Sequence, residues 1–272
     1  MTGRHSERGL ALVVVLWGIA ALSLIAAAML ASSMSRAHID RNAWTQLQVR
    51  TEADTGMQMA ILSLFNPGPD GRPPLDGTQR QIALGDTTVS VSIQDELGRI
   101  DINYAGRDML RNLFRSAGAS GDNAATLAEQ VIAWRSPSGT SSPEGFTARD
   151  VAMAGDGYRP RRGPFQSVDE LNLVRGMTPQ LFRRAESGLT VYSHASSFDT
   201  TVAPKLVLEA ILGMDQRRAD NVIARRPLAI ASWGHAYAII STATRHEARF
   251  SRRAVILLSG DPDRPYWILD WK

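Results

Sequence analysis

The stretch LALVVVLWGIAALSLIAAAMLA, Leu10 to Ala31, runs for 22 residues without a charged side chain. As a helix rising about 1.5 Å per residue, a run of that length extends about 30 Å, the thickness of a bilayer's hydrocarbon core. Arg4, His5, Glu7 and Arg8 precede it, and the next charged side chain is Arg36. A cleaved secretory signal is the competing reading, because small residues follow between Ala31 and Ser35. The apolar part of such a signal is normally only about 7 to 15 residues. With Arg4 and Arg8 held in the cytoplasm by the positive-inside rule, the remainder of the chain lies across the membrane.

Outward from this stretch the helical signal continues. No proline occurs before Pro67, and Trp44, Leu47, Met57, Ile61 and Leu64 recur at helical spacings. Arg41, Gln46, Gln48, Arg50, Glu52, Asp54 and Gln58 fall between them as a solvated face. The expectation is a helix of some fifty residues (about 75 Å), half apolar throughout and half amphipathic. The proline- and glycine-rich segment NPGPDGRPPLDG, Asn66 to Gly77, ends it.

A β-hairpin follows: Arg80 to Leu84, a Gly85-Asp86 turn, then TTVSVSI from Thr87 to Ile93, alternating apolar and polar. After DELG, Asp95 to Gly98, the segment Arg99 to Ile102 can add a short strand. From Asn103 to Arg226 a pattern of helix, glycine turn and helix recurs three times, around Gly118 and Gly121, Gly176, and Gly213. Thr178 and Asp215 stand where a side-chain oxygen would cap the second helix of a pair. Three strands close the chain: Tyr237 to Ala243, Ala248 to Leu258, and Tyr266 to Trp271. This order predicts an α+β fold, with a long N-terminal helix laid on an antiparallel sheet and a helical domain inserted between strands.

The 272 residues are 44% apolar, enough to bury a sizeable core, and 30 basic against 27 acidic residues leave a net charge of only +3. That balance nominates no nucleic acid partner. The absence of cysteine excludes disulfides, thiolate metal sites and cysteine nucleophiles. Five scattered histidines form no HExxH pair, and no GxSxG elbow or phosphate loop occurs. Ser193, His194 and Asp199 lie close in sequence, which is no sign of a catalytic triad. Trp134, Trp233, Trp267 and Trp271 read as core or interface anchors.

Four segments carry a family resemblance: ERGLALVVVLWGIAALSLIA at the N-terminus, DELGRIDIN (Asp95 to Asn103), YRPRRGPFQSVDELNLVRGMTPQLFRRAESGLTVYS (Tyr158 to Ser193), and the closing AVILLSGDPDRPYWILDWK. Together they resemble the type II secretion minor pseudopilins of the GspK family. The resemblance implies a prepilin leader at 1–9, a transmembrane helix at 10–31 continued over 32–65, pilin-type strands at 78–103, an inserted α-helical domain at 104–230 with hairpin repeats, and C-terminal strands of the same sheet at 231–272. It also implies cleavage by prepilin peptidase between Gly9 and Leu10, and N-methylation of Leu10. The partners it implies are the minor pseudopilins GspI and GspJ, then GspH and the major pseudopilin GspG, with inner-membrane lipid and secreted substrate as further contacts.

The implied role is a non-enzymatic subunit at the tip of the pseudopilus, nucleating its assembly. Val14 occupies the fifth position of the mature chain, where most pilins carry a glutamate that pairs with a neighbour's terminal amine. An unpaired carboxylate is costly in hydrocarbon, and a subunit with nothing above it has no use for one. A calcium site in the helical domain would have only Glu144, Asp150 and Asp156 as carboxylate ligands, few for a cation that takes six to eight oxygens. The alternative function is a membrane-anchored helix-hairpin-helix protein binding nucleic acid through Lys205, Arg217, Arg218, Arg225 and Arg226, although a threonine or aspartate stands where a second hairpin glycine would meet phosphate.

Overall fold

The computed structural model describes residues 6–65, 71–136 and 161–272, with side chains in the first helix described at 13–29 and from 43 onward. That helix, α1 (Ser6–Phe65), is continuous for 60 residues, about 90 Å at the ordinary rise. Its upper part packs on a sheet. Val49, Ala53, Met57, Ala60, Ile61 and Leu64 are buried, a stripe spaced by three and four residues. Met57, Ile61 and Leu64 therefore join the core, whereas Trp44 and Leu47 lie on other faces and are exposed by 66% and 54%. Alongside Met57, Ile61 and Leu64, small residues that the spacing of large ones did not single out mark much of the contact face.

The lower part, from Val13 to Met29, stands clear of the sheet with Val14, Leu16, Trp17, Leu22, Leu24 and Ile25 all exposed. Among the described residues no helix is long and apolar enough to cross a membrane. The uncharged run of 10–31 extends at both ends past the positions whose side chains are described.

The five-stranded sheet is antiparallel throughout, in the order β1 (Asp76–Leu84), β2 (Thr87–Asp95), β5 (Ala236–Arg245), β6 (Ala248–Leu258), β7 (Tyr266–Trp271). Gly85, with φ +58°, makes the left-handed turn between β1 and β2. Alternation in β2 buries Val89, Val91 and Ile93 beneath α1, with Tyr237, Ile239 and Ala243 of β5 and Ala254, Ile256 and Leu258 of β6 beside them. About 140 residues separate β2 from β5, yet Asp95 is the register partner of Tyr237. Both ends of the insertion thus leave from adjacent strands of one sheet.

The insertion has its own core. It contains β3 (Ile100–Asp101), α2 (Arg107–Ser116), α3 (Gly121–Arg135), α4 (Pro179–Ala185), β4 (Leu189–Thr190), α5 (Lys205–Leu212) and α6 (Gln216–Arg225). Ile102, Leu110, Leu113, Phe114, Leu127, Val131, Leu171, Leu189 and Leu208 are buried together within it. The short strands β3 and β4 pair in parallel, separate from the main sheet. Thr178 Oγ1 accepts from the Leu181 amide at 3.2 Å and Asp215 Oδ1 from the Arg218 amide at 2.8 Å, the two caps expected from the sequence. Val168–Leu173 forms a tighter 3-10 helix rather than an α-helix, capped by the Ser167 side chain.

Gly56 sets how closely α1 approaches the sheet. A Cβ there would lie 2.5 Å from Ser241 Oγ and 2.6 Å from Val89 Cγ1. Although alanine gains about 1 kcal/mol over glycine in helix propensity, Gly56→Ala should destabilise the protein by about 1–3 kcal/mol through overpacking. Urea denaturation measures this, and a variant as stable as the parent would show that the helix can lift without loss.

Candidate functional site

At the seam between sheet and insertion, five charged residues follow closely on the buried strand β2: Asp95, Glu96, Arg99, Asp101 and, further on, Arg107. Four are consumed locally. Asp95 Oδ1 accepts from the Leu97 amide at 2.9 Å, closing a 3-10 turn, while its Oδ2 lies 3.0 Å from His235 Nδ1. Glu96, 1% exposed, pairs with Arg99 at 2.9 Å, and burial pushes its carboxyl above the ordinary range. Asp101 accepts from the amides of Asn103 at 2.8 Å and His194 at 2.9 Å, and burial likewise raises its carboxyl. Arg135 donates to the carbonyls of Ile102 and Ala105, fixing α3 to this corner.

Further contacts tie the insertion to the sheet. Gln94 Nε2 donates to the Val202 carbonyl at 2.8 Å, and the Asp199 amide to the Leu97 carbonyl at 2.7 Å. Arg226 Nη1 donates to the Ala203 carbonyl at 2.8 Å, 4.0 Å from Asp76. Gly98 lies so close to the Val202 carbonyl that no side chain fits there. Lys272 at the chain's end reaches Asp169 at 3.0 Å. The seam is therefore a dense joint between two cores, with most of its polar groups bonded to each other or to backbone, while Arg99 Nε and Arg226 Nε and Nη2 are buried without a hydrogen-bond partner among the described residues. Gln94 and Asp101 were not singled out from sequence, and Arg226 was named only as a cation for nucleic acid; charge alternating with Ile93, Ile100 and Ile102 reads in sequence as an ordinary half-solvated strand.

The sequence candidates fall as follows. Gly9 and Leu10 lie within α1, where only the backbone is described, and Val14 is 62% exposed. Glu144, Asp150 and Asp156 lie outside the described residues. Among the described residues no group of three or more histidine or acidic side chains could hold a metal ion. Asp199 accepts from both the amide and hydroxyl of Thr201 at 2.8 Å, and the Ser193 hydroxyl and His194 amide both turn to Asp101, so the three do not line up as a triad. Of the five cations considered for nucleic acid, Lys205 pairs with Asp220 at 2.7 Å and Arg226 is buried. Arg217, Arg218 and Arg225 are exposed. The helix N-terminus that would cradle phosphate is filled by the Asp215 carboxylate.

Comparison with known proteins bears on part of this joint, since Gln94 to Asn103, Arg135 and His194 fall inside the matched segment. Residues 91–194 match the family model described as Type II secretion system (T2SS), protein K. No curated protein matches the chain. Among solved structures, the chain is similar to one from the crystal structure of the GspK-GspI-GspJ complex from enterotoxigenic Escherichia coli Type 2 Secretion System. The identity is 14% and the TM-score 0.55, over 85% of this chain and 98% of that chain. At that identity the likeness is one of fold.

The joint yields a pH dependence with a definite sign. Glu96 is held above its ordinary 4.5 by burial, so its proton is bound more tightly in the folded than in the unfolded state. Its contribution to stability is complete below that ordinary value and is lost as pH rises through the raised folded value. Glu96→Gln removes this titration. Its stability relative to the parent should improve steadily between pH 4 and 7, read as urea midpoints; a difference independent of pH would contradict the assignment.

Proposed function

We infer that this chain, a type II secretion system protein K by the segment it matches, serves as a minor pseudopilin of that system. The observation that carries this is the division of α1. One uninterrupted helix presents apolar side chains on all sides below and a single buried stripe above, where the sheet covers it. A helix that is hydrophobic all round needs lipid or other helices around it, and here no part of the described chain covers the lower half.

On this reading the uncharged run of 10–31 is a single membrane anchor, with Arg4 and Arg8 cytoplasmic and the sheet and helical insertion in the periplasm. Prepilin peptidase cuts between Gly9 and Leu10, and Leu10 is methylated. Val14 leaves the anchor without a carboxylate, so this subunit does not draw another's terminal amine to that position, which suits a place at the tip. GspI and GspJ are the immediate partners, as in the complex containing the similar chain, with GspH and GspG beyond them. The role is structural. The seam offers no reacting constellation, and its bonds hold the helical insertion at a fixed attitude on the sheet, a property of use in assembly or in touching exported protein.

Co-expression with and without a prepilin peptidase, followed by intact mass and N-terminal sequencing, tests the reading. Loss of residues 1–9 and a methylated Leu10 are expected only with the peptidase, and Gly9→Val should abolish both. Cleavage near Ala31 to Ser35, or an unprocessed chain under both conditions, would contradict it.

A further inference from the structure

The two edges of the sheet differ in kind. On β1 the exposed positions are Thr78, Gln79, Gln81 and Ala83, and the register to β2 is broken between Asp76 and Gln79. That is an edge protected by polar side chains and a bulge. β7 is the other edge, with no strand beyond it among the described residues. Its sequence YWILDW exposes Trp267, Ile268, Leu269 and Trp271 by 42–54% each. The register divides them between both faces. Ile268 and Trp271 stand opposite Ile256 and Ala254, on the side that α1 covers, and Trp267 opposite Leu257, on the far side. An apolar edge strand left open in this way invites pairing.

The exposed strip continues past the strand. Phe65 lies 6.2 Å from Tyr266 and 6.0 Å from Trp233, ring centre to ring centre. Trp233 is 62% and Ile230 63% exposed in the segment leading into β5. With about 150–250 Å² on each aromatic side chain, the three tryptophans and Ile230, Ile268 and Leu269 leave on the order of 600 Å² of apolar surface open. That sum spans both faces of the edge, and an added strand touching both meets most of the ~800 Å² that one side of a standard interface contributes.

Resting on the reading of the chain as a pseudopilin, we propose that the free edge of β7 takes an extended segment of a partner pseudopilin as a further strand of the sheet. The backbone of β7 supplies the pairing, and the side chains on both faces supply the apolar contact. Trp233 and Ile230 extend that contact around the end of α1. The area approaches what one side of a stable heteromeric contact contributes.

The full chain in detergent, mixed with the GspI and GspJ of its own system, tests this by hydrogen exchange and by affinity. Amide protection should appear across residues 266–271 on complex formation. Ile268→Lys should weaken binding about tenfold or more while leaving the melting temperature of the free chain within about 2 °C, as expected for an exposed site. Gln81→Lys on the opposite edge should bind as the parent does. A complex that forms with residues 266–271 unprotected and Ile268→Lys unimpaired overturns the proposal alone. Concentration-dependent self-association abolished by Ile268→Lys, without protection by the partners, assigns the edge to a second copy and also overturns it. Failure of the parent chain to join these partners at all removes the pseudopilin reading itself, and the proposal with it.

Discussion

The contact of α1 with the sheet at Gly56 is the constraint from which the rest of the architecture follows. Only a residue without a side chain lets the helix axis come down onto Ser241 and Val89. The alanines at 53 and 60 extend the close approach along the same stripe. Bringing the helix so near closes the apolar faces of β2, β5 and β6 beneath one element. A strand pair as distant in sequence as β2 and β5 can then form, because the helix bridges them from above.

That pairing makes room for the insertion. Since Asp95 and Tyr237 are register partners, the chain leaves and re-enters the sheet on neighbouring strands, and a whole second core can grow between them without disturbing the first. The joint is stiffened by polar groups as well as by apolar packing, Val202 entering the sheet's core and Tyr192 packing on its far face. Asp95, Glu96, Asp101, Gln94 and Arg226 each meet a partner across or beside the seam. Burying Glu96 and Asp101 is costly, as the upward displacement of both carboxyls records. Such groups return little net stability but fix a geometry closely.

What could be read in the sequence was what is local. The alternation of Thr87 to Ile93, the Gly85-Asp86 turn and the caps at Thr178 and Asp215 each depend on residues within a few positions, and the structure has them where local chemistry puts them. The buried face of α1 was read less well. Hydrophobic size picked out Met57, Ile61 and Leu64 correctly but also Trp44 and Leu47, whereas contact depth is set by Ala53, Gly56 and Ala60, small residues at the same helical spacing that a search for large apolar side chains passes over. The partnership of β2 with β5 and the seam centred on Asp101 depend on residues roughly 90 to 150 positions apart, and nothing in either segment alone announces the other. The apolar character of β7 was plain, but only its place at the end of the strand order shows that the character is unshielded.

The central claim is that one helix is anchor below and spine above, and the chain's lack of cysteine makes it directly testable. Single cysteines placed along α1 and probed in intact inner membranes with a membrane-impermeant maleimide should react at Trp44 and Leu62 and stay silent at Trp17, Leu22 and Ile25. Labelling of those three lower positions at the same rate as the upper ones would contradict the account.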